Sequence, residues 1–258
     1  MNIPCNIDPL GIRDIIPAGY SKIAYLESTG VEYIDTKAIP ETASRVHCEF
    51  MTVPASSFCY VYGQQSENGL YDIVVKDQLM ARCSWLVANT GLRSGWRTLF
   101  EDHKYSVKST VGELFIDGVK VATRVPGEYY YATRPIFLFA SNMEGKPSGH
   151  LASKIYSFSL QRENKLDIEL IPVINAEGLP CMFDTVSRQP FYNSGSGAFI
   201  AGIENQSQLN NLLSKLPDRS GQTVGTLQVR LADELQTLEN EAKMDTMLAK
   251  NWEISQSV

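Results

Sequence analysis

The 258-residue chain has little of what builds a metal centre or a disulfide framework. Its five cysteines are Cys5, Cys48, Cys59, Cys83 and Cys181, and its three histidines are His47, His103 and His150. The cysteine number is odd, the spacings are irregular and no C-x-x-C occurs, so neither bridges nor a zinc site are expected. Free thiols suit a protein made in a reducing cytosol, and buried free cysteine is the reading for Cys48 and Cys59. No basic cluster is present and the formal net charge is −6. That argues against nucleic acid as a partner, because phosphate binding needs concentrated Lys and Arg. No apolar run approaches the roughly 20 residues of a membrane span. The opening "MNIPCNIDPLGIRDIIPAGY" carries Asp8 and Asp14 and lacks an apolar run of signal-peptide length, so no cleaved export signal is expected. G-x-S-x-G is missing, and no cysteine sits in a recognisable protease context.

What is present is a long series of strand signals. "RVHCEFMTV" alternates, with Val46, Cys48 and Phe50 on one face. "FCYVYG" and "LYDIVV" follow, rich in aromatic and β-branched residues. In "GELFIDGVKVAT" two alternating runs flank Asp117-Gly118, the dipeptide expected at a two-residue hairpin turn. "RPIFLFAS", "SKIYSFSLQ" and "LDIELIPVI" continue the series. The segment "IAYLESTGVEYIDTK", Ile23 to Lys37, reads as a hairpin turning at "STG". Helical periodicity is missing from residues 20–202, and an antiparallel β-sandwich is expected.

Beyond Gly202 the character changes. Leu209, Leu212, Leu213 and Leu216 fall at helical spacing, with Ser207 as the expected N-cap. "GTLQVRL" alternates as a strand, "ADELQTLENEAKMDTMLAKN" is helical in composition, and "WEIS" ends the series as a strand. Such a unit cannot bury its own faces, so residues 203–258 should pack on the sandwich or on another subunit. Residues 1–19, with Pro4, Pro9 and Pro17, read as an extended arm able to lie on another surface.

Four segments, taken in order, carry a resemblance. "YSKIAYLESTGVEYIDTK", "HKYSVKSTVGELFIDGVKVAT", "IFLFASNMEGKPSGHLASKIYSFSL" and "LIPVINAEGLPCMFDTVSRQPFYNSGSGAFIAG" together resemble a concanavalin A-like, laminin G-like jelly-roll module. Modules of this kind are common in proteins of gut bacteria and their phages. The resemblance covers about residues 20–202. The C-terminal "LLSKLPDRSGQTVGTLQV" and "AKNWEIS" resemble leucine-rich-repeat-like terminal segments of gut phage and bacterial surface proteins. The resemblance implies two curved antiparallel sheets with a small α/β appendage, and a functional range of carbohydrate or protein adhesion. A fold alone does not identify a ligand, so function rests on a site.

Four kinds of site can be weighed. Some enzymes of this superfamily place paired carboxylates on one strand, where residues i, i+2 and i+4 share a face. Here "KLDIEL" sets Lys165, Asp167 and Glu169 on that face, with lysine at the nucleophile position; a solvated strand face is the preferred reading. No metal-ligand spacing links the histidines. No cofactor is expected, although a Ca²⁺ site of loop carbonyls with Asp72 or Asn142 is compatible with the fold. Sugar-stacking aromatics are Trp85, Trp96 and the run Tyr129-Tyr130-Tyr131, in which Tyr130 faces opposite to its neighbours. Trp85, Trp96, Tyr130 and Asn142 are the candidate ligand-binding residues, each weighed against plain core packing.

The expectation is a non-enzymatic bacteriophage virion protein, a decoration or adhesion module of capsid or tail. It would be assembled in the host cytoplasm and displayed on the virion surface. It would bind surface or mucosal glycan or reinforce the particle. Its partners would be other virion proteins, met through the arm and the C-terminal region, with no nucleic acid and no membrane. A homo-oligomer or larger assembly is expected. A glycoside hydrolase of the same fold and a bacterial surface adhesin are the alternatives.

Overall fold

The structure, a computed structural model, describes residues 16–256 except 42, 67, 68, 88, 89, 111, 124–131 and 164, with residues 69, 85–87 and 90–92 described by backbone alone. The protein is mainly β, with two large sheets and a small helical C-terminal part. The described strands form one sheet of thirteen strands and one of nine. The arm residues 1–15 and Tyr130 lie outside the described residues.

The larger sheet is centred on Arg45–Thr52 and Ser153–Arg162, which pair antiparallel. Burial in Arg45–Thr52 alternates strictly, and Val46, Cys48 and Phe50 point into the core. The period-2 geometry of a strand makes that alternation legible beforehand. The smaller sheet is built on Cys59–Ser66, Gly69–Lys76 and Met80–Val87. Its inward residues include Tyr62, Tyr71, Ile73, Val75, Ala81 and Cys83. The two sheets meet in one core, where Tyr62 lies edge-on to Phe158 and Phe139 packs on Phe199.

The hairpin after Glu113–Ile116 forms as the sequence predicts. Asp117 and Gly118 both take positive φ, 50° and 75°, the pair of values that a type I′ turn requires. Asp117 Oδ1 also accepts the Ser106 N–H at 2.8 Å, tying the turn to the preceding strand, Tyr105–Ser109.

The segment Ile23–Lys37 is not a hairpin. Tyr25–Ser28 belongs to the larger sheet, between Ser153–Arg162 and Ile200–Ile203. Ile34–Asp35 belongs to the smaller sheet and pairs with Phe137–Leu138. The "STG" bend carries the chain from one layer to the other. Glu32, only 1% exposed, holds it there by accepting the Ser28 hydroxyl, the Thr29 N–H and the Thr29 hydroxyl at 2.8–3.0 Å. Alternation and turn residues look the same in both cases; which strand each half pairs with depends on contacts more than 100 residues away.

The C-terminal region closes onto the sandwich. Ile200–Ile203 pairs antiparallel with Tyr25–Ser28 and parallel with Gly225–Leu231, which pairs parallel with Trp252–Gln256. Helix α1 (Gln206–Lys215) and helix α2 (Leu238–Asp245) make the crossovers. Leu209, Leu212 and Leu216 join the same core as the sheets, together with Leu227, Val229 and Leu231. The N-cap of α1 is Asn205, not Ser207. Asn205 is still extended and its side chain accepts the Gln208 N–H at 3.0 Å, whereas Ser207 already lies in the first turn. The second helical stretch is broken: α2 is flanked by one-turn 3₁₀ segments at Asp233–Leu235 and Leu248–Lys250. Trp252 is fully buried, donates its indole N–H to Pro217 O at 2.7 Å, and packs over Gly178 and Gly225.

Candidate functional site

The smaller sheet turns a second face away from the shared core, and this face carries the candidate site. Because Tyr71, Ile73 and Val75 point inward, Asp72, Val74 and Lys76 of the same strand point outward. On the next strand Ala81 and Cys83 point inward, so Arg82 and Ser84 share the outer face. Register sets Gly63, Asp72, Ser84 and Arg93 in one row across four strands, and Ser141 extends the row beside Gly63. A Cβ on Gly63 would sit 2.7 Å from the Ser141 hydroxyl, so only glycine admits that approach.

Trp96 is held over this face by its neighbours in sequence. Arg93 pairs with Ser84, and Arg97 pairs with Ala81 on the same strand. Between them Ser94 clamps Cys83: its N–H donates to Cys83 O at 3.0 Å and its hydroxyl accepts the Cys83 N–H at 3.1 Å. The loop Gly95-Trp96 therefore returns to the strand that carries Arg82. The Arg82 guanidinium lies 4.6 Å from the centre of the Trp96 ring and the Lys76 ammonium 4.7 Å, with Phe58 edge-on at 6.2 Å. A cation over an indole is attracted to it while keeping its full formal charge.

The polar groups of this face are incompletely partnered. Asp72 is 1% exposed; its Oδ2 accepts from Gln65 Nε2 at 3.4 Å, and its Oδ1 has no hydrogen-bond partner. Arg82 Nε and the Ser141 hydroxyl are also buried without hydrogen-bond partners, and the Ser84 hydroxyl, outside good hydrogen-bond geometry, is still near enough to Asp72 to favour its carboxylate. Among the described residues no carboxylate lies within ion-pair distance of Arg82 or Arg93. Burial pushes the Asp72 carboxyl up to about 7, against the opposing pull of Arg82, Ser84, Arg93 and Gln65. Burial, and then the like charge of Arg93, lowers the pKa of Arg82; burial raises the Tyr60 phenol. Buried polar groups are normally satisfied, so a cluster that is not calls for an explanation, and a bound ligand is one.

The sequence candidates fall out unequally. Trp96 and Asp72 are brought together, joined by Arg82. Trp85 sits opposite Tyr71 and Leu92, and only its backbone is described. Asn142 is 1% exposed and occupied: Nδ2 donates to Pro135 O at 3.0 Å, and Oδ1 accepts the Gly145 N–H at 2.8 Å, shaping the turn at Glu144-Gly145. Asp167 pairs with Arg162 at 2.6 Å, and Glu169 accepts the Thr185 hydroxyl. His47 meets Ser106, His103 meets Asp117, and His150 packs on Tyr33. Among the described residues no three His, Cys, Asp or Glu are grouped to hold a metal ion. Cys48, Cys83 and Cys181 are buried free thiols, Cys83 and Cys181 pushed up to about 12 by burial, while Cys59 is only partly buried. Sequence reading missed Tyr60, Gln65, Arg82, Ser84 and Arg93. For Arg82 and Ser84 the signal was a charge and a hydroxyl on alternate positions of the otherwise apolar "MARCSW", opposite Asp72 and Lys76 in "LYDIVVK"; Tyr60, Gln65 and Arg93 had none.

No family model matches this chain, and no curated protein matches it either.

Proposed function

We propose that the protein is a non-enzymatic adhesion or decoration module of a bacteriophage particle, with a concanavalin A-like jelly roll that binds glycan on the outer face of its smaller sheet. One observation carries the binding reading: the buried, incompletely partnered Asp72 on the same face as the partly buried Arg82, with Trp96 against Arg82 and exposed Arg93 in the row of Asp72. Saccharide sites of this kind combine an aromatic edge with a few fixed polar groups. Binding is favoured over hydrolysis because glycoside hydrolysis uses two carboxyl groups flanking one bond. The charged groups acting on Asp72 are Arg82 and Arg93, with no carboxylate among them. The carboxylates of "KLDIEL" are engaged by Arg162 and Thr185. The virion role rests on the sequence resemblance. Profiling the full chain on a glycan array, with mass spectrometry of purified particles, tests the two halves separately. Glycan binding lost in Arg82→Gln supports the site. Release of reducing sugar from any bound glycan, abolished in Asp72→Asn, overturns the non-enzymatic reading. Its absence from purified particles overturns the virion role.

A further inference from the structure

We infer that this face selects acidic saccharides, seating the oxyanion of a uronate or a sulfate ester against Arg82 and Arg93. The inference rests on the glycan reading above and narrows its ligand class.

Three features of the geometry support it. First, Arg82 and Lys76 are gathered over Trp96, which positions positive charge without neutralising it. Lys76 has a carboxylate partner in Asp77 at 2.8 Å, but Asp77 is an exposed tip residue, and the guanidiniums of Arg82 and Arg93 have none among the described residues. Second, Arg93 is exposed and Arg82 only partly buried, so their guanidinium forks can be met from outside the sheet. An oxyanion accepts from such a fork in pairs, which is why arginine recurs where carboxylate or sulfate is recognised. Third, the acid on this face, Asp72, is buried with one oxygen unpartnered, so it is poised to donate a hydrogen bond once protonated. All this occurs on a chain of net charge −6, where a local excess of cations is not a by-product of overall composition.

A further consequence concerns pH. An anion arriving beside Asp72 favours its protonated form. The groups that bear on Asp72 are Arg82 and Arg93 on the outer face, Tyr60 on the strand beside it, and Cys83 and Tyr62 on the core side. Asp72 changes charge near neutrality, its carboxyl pushed up to about 7 by burial. Binding is therefore accompanied by proton uptake, and weakens as pH rises through 7.

The test is calorimetric titration of the full chain with three probes: oligogalacturonate, its methyl ester, and a sulfated chondroitin oligosaccharide. The ester keeps the sugar backbone and removes the charge. The expected result is binding of at least one acidic probe, at least tenfold weaker or absent binding of the ester where oligogalacturonate binds, and at least tenfold loss in Arg93→Gln, an exposed site where folding is not at stake. The two acidic probes decide between carboxylate and sulfate. Affinity should fall several-fold between pH 6 and pH 8.5, and Asp72→Asn should flatten that dependence. Equal binding of acid and ester, or Arg93→Gln binding like the parent, overturns the charge inference while leaving the glycan reading intact. Silence toward all three probes overturns the inference; silence across a neutral glycan panel as well overturns the glycan reading.

Discussion

The outer faces of the two sheets are built from similar residue types but treat charge in opposite ways. On the thirteen-stranded sheet several charges are answered by an opposite one, although Arg45 Nε is buried without a hydrogen-bond partner there too. Arg230 grips Glu27 through two bonds of 2.8 and 2.9 Å, Arg162 reaches both Asp167 and Glu41, and Lys104 faces Glu49. Lys154 lies over Tyr25, whose phenol is pushed up by burial and then by Glu27. On the nine-stranded sheet Arg82 lies over Trp96, neither Arg82 nor Arg93 has a carboxylate within ion-pair distance among the described residues, and Asp72 is buried with one oxygen unpartnered. An arginine already held by a carboxylate, as Arg230 is by Glu27, gains little from a ligand's charge. A face that has left its pairing incomplete has forgone stability, and stability forgone at one place is the usual mark of function.

The comparison is sharpest at Asp72. Its folded-state carboxyl lies at about 7 against a usual 3.8. The folded protein therefore holds this proton to higher pH than the unfolded chain. Stability should fall as pH rises from about 4 to 7 and level off on either side. At about 1.4 kcal/mol per unit, Asp72→Asn should stabilise by up to about 4 kcal/mol at pH 8 and by almost nothing at pH 3.5. Chemical denaturation across that range measures it, and equal effects at both ends would break the assignment.

On the paired face the sign reverses. Glu27→Ala leaves the half-buried Arg230 guanidinium without its bidentate partner and should destabilise by about 2 kcal/mol. Urea midpoints at fixed pH would show it, and a neutral result would mean that the two faces do not differ in the way their ion pairs imply. Gly118→Val serves as a control on the same sheet that involves no charge. Nothing lies within 4 Å of a Cβ built there, so the expected loss of somewhat more than about 1 kcal/mol comes from the φ of 75° alone. Gly118→Asn, which tolerates that conformation, should recover most of it in thermal melts. The smallest effect is expected at Arg93→Gln, within about 0.5 kcal/mol of the parent, because Arg93 is exposed and makes no ion pair among the described residues. A large loss there would recast Arg93 as structural and remove it from the ligand face.

Much of the fold could be read without coordinates where the pattern is local. The alternation of Val46, Cys48 and Phe50, the Asp117-Gly118 turn and the leucine stripe of α1 each depend on a few neighbouring residues, and each appears as expected. Reading failed where the pattern was ambiguous over distance. "IAYLESTGVEYIDT" has the grammar of a hairpin, yet Glu32 folds the bend so that its two halves serve different sheets. Ser207 and Asn205 are both good caps, and the exit of the strand at Ile203 decides between them. The candidate site was only half legible. Trp96 and Asp72 could be named singly, but nothing local announces that Arg82 joins them.

The sequence by itself determined that this is a β-rich protein, where its strands alternate, and where a helical tail begins, because burial on one face of a strand or helix writes a short period into the chain. Tertiary structure alone decided that the tail's parallel strands extend the larger sheet, that the opening segment bridges two layers, and that Arg82, Arg93, Asp72 and Trp96 share one face. Each of those outcomes depends on register between strands distant in sequence, and a strand's own residues say which side is apolar but not which strand lies beside it.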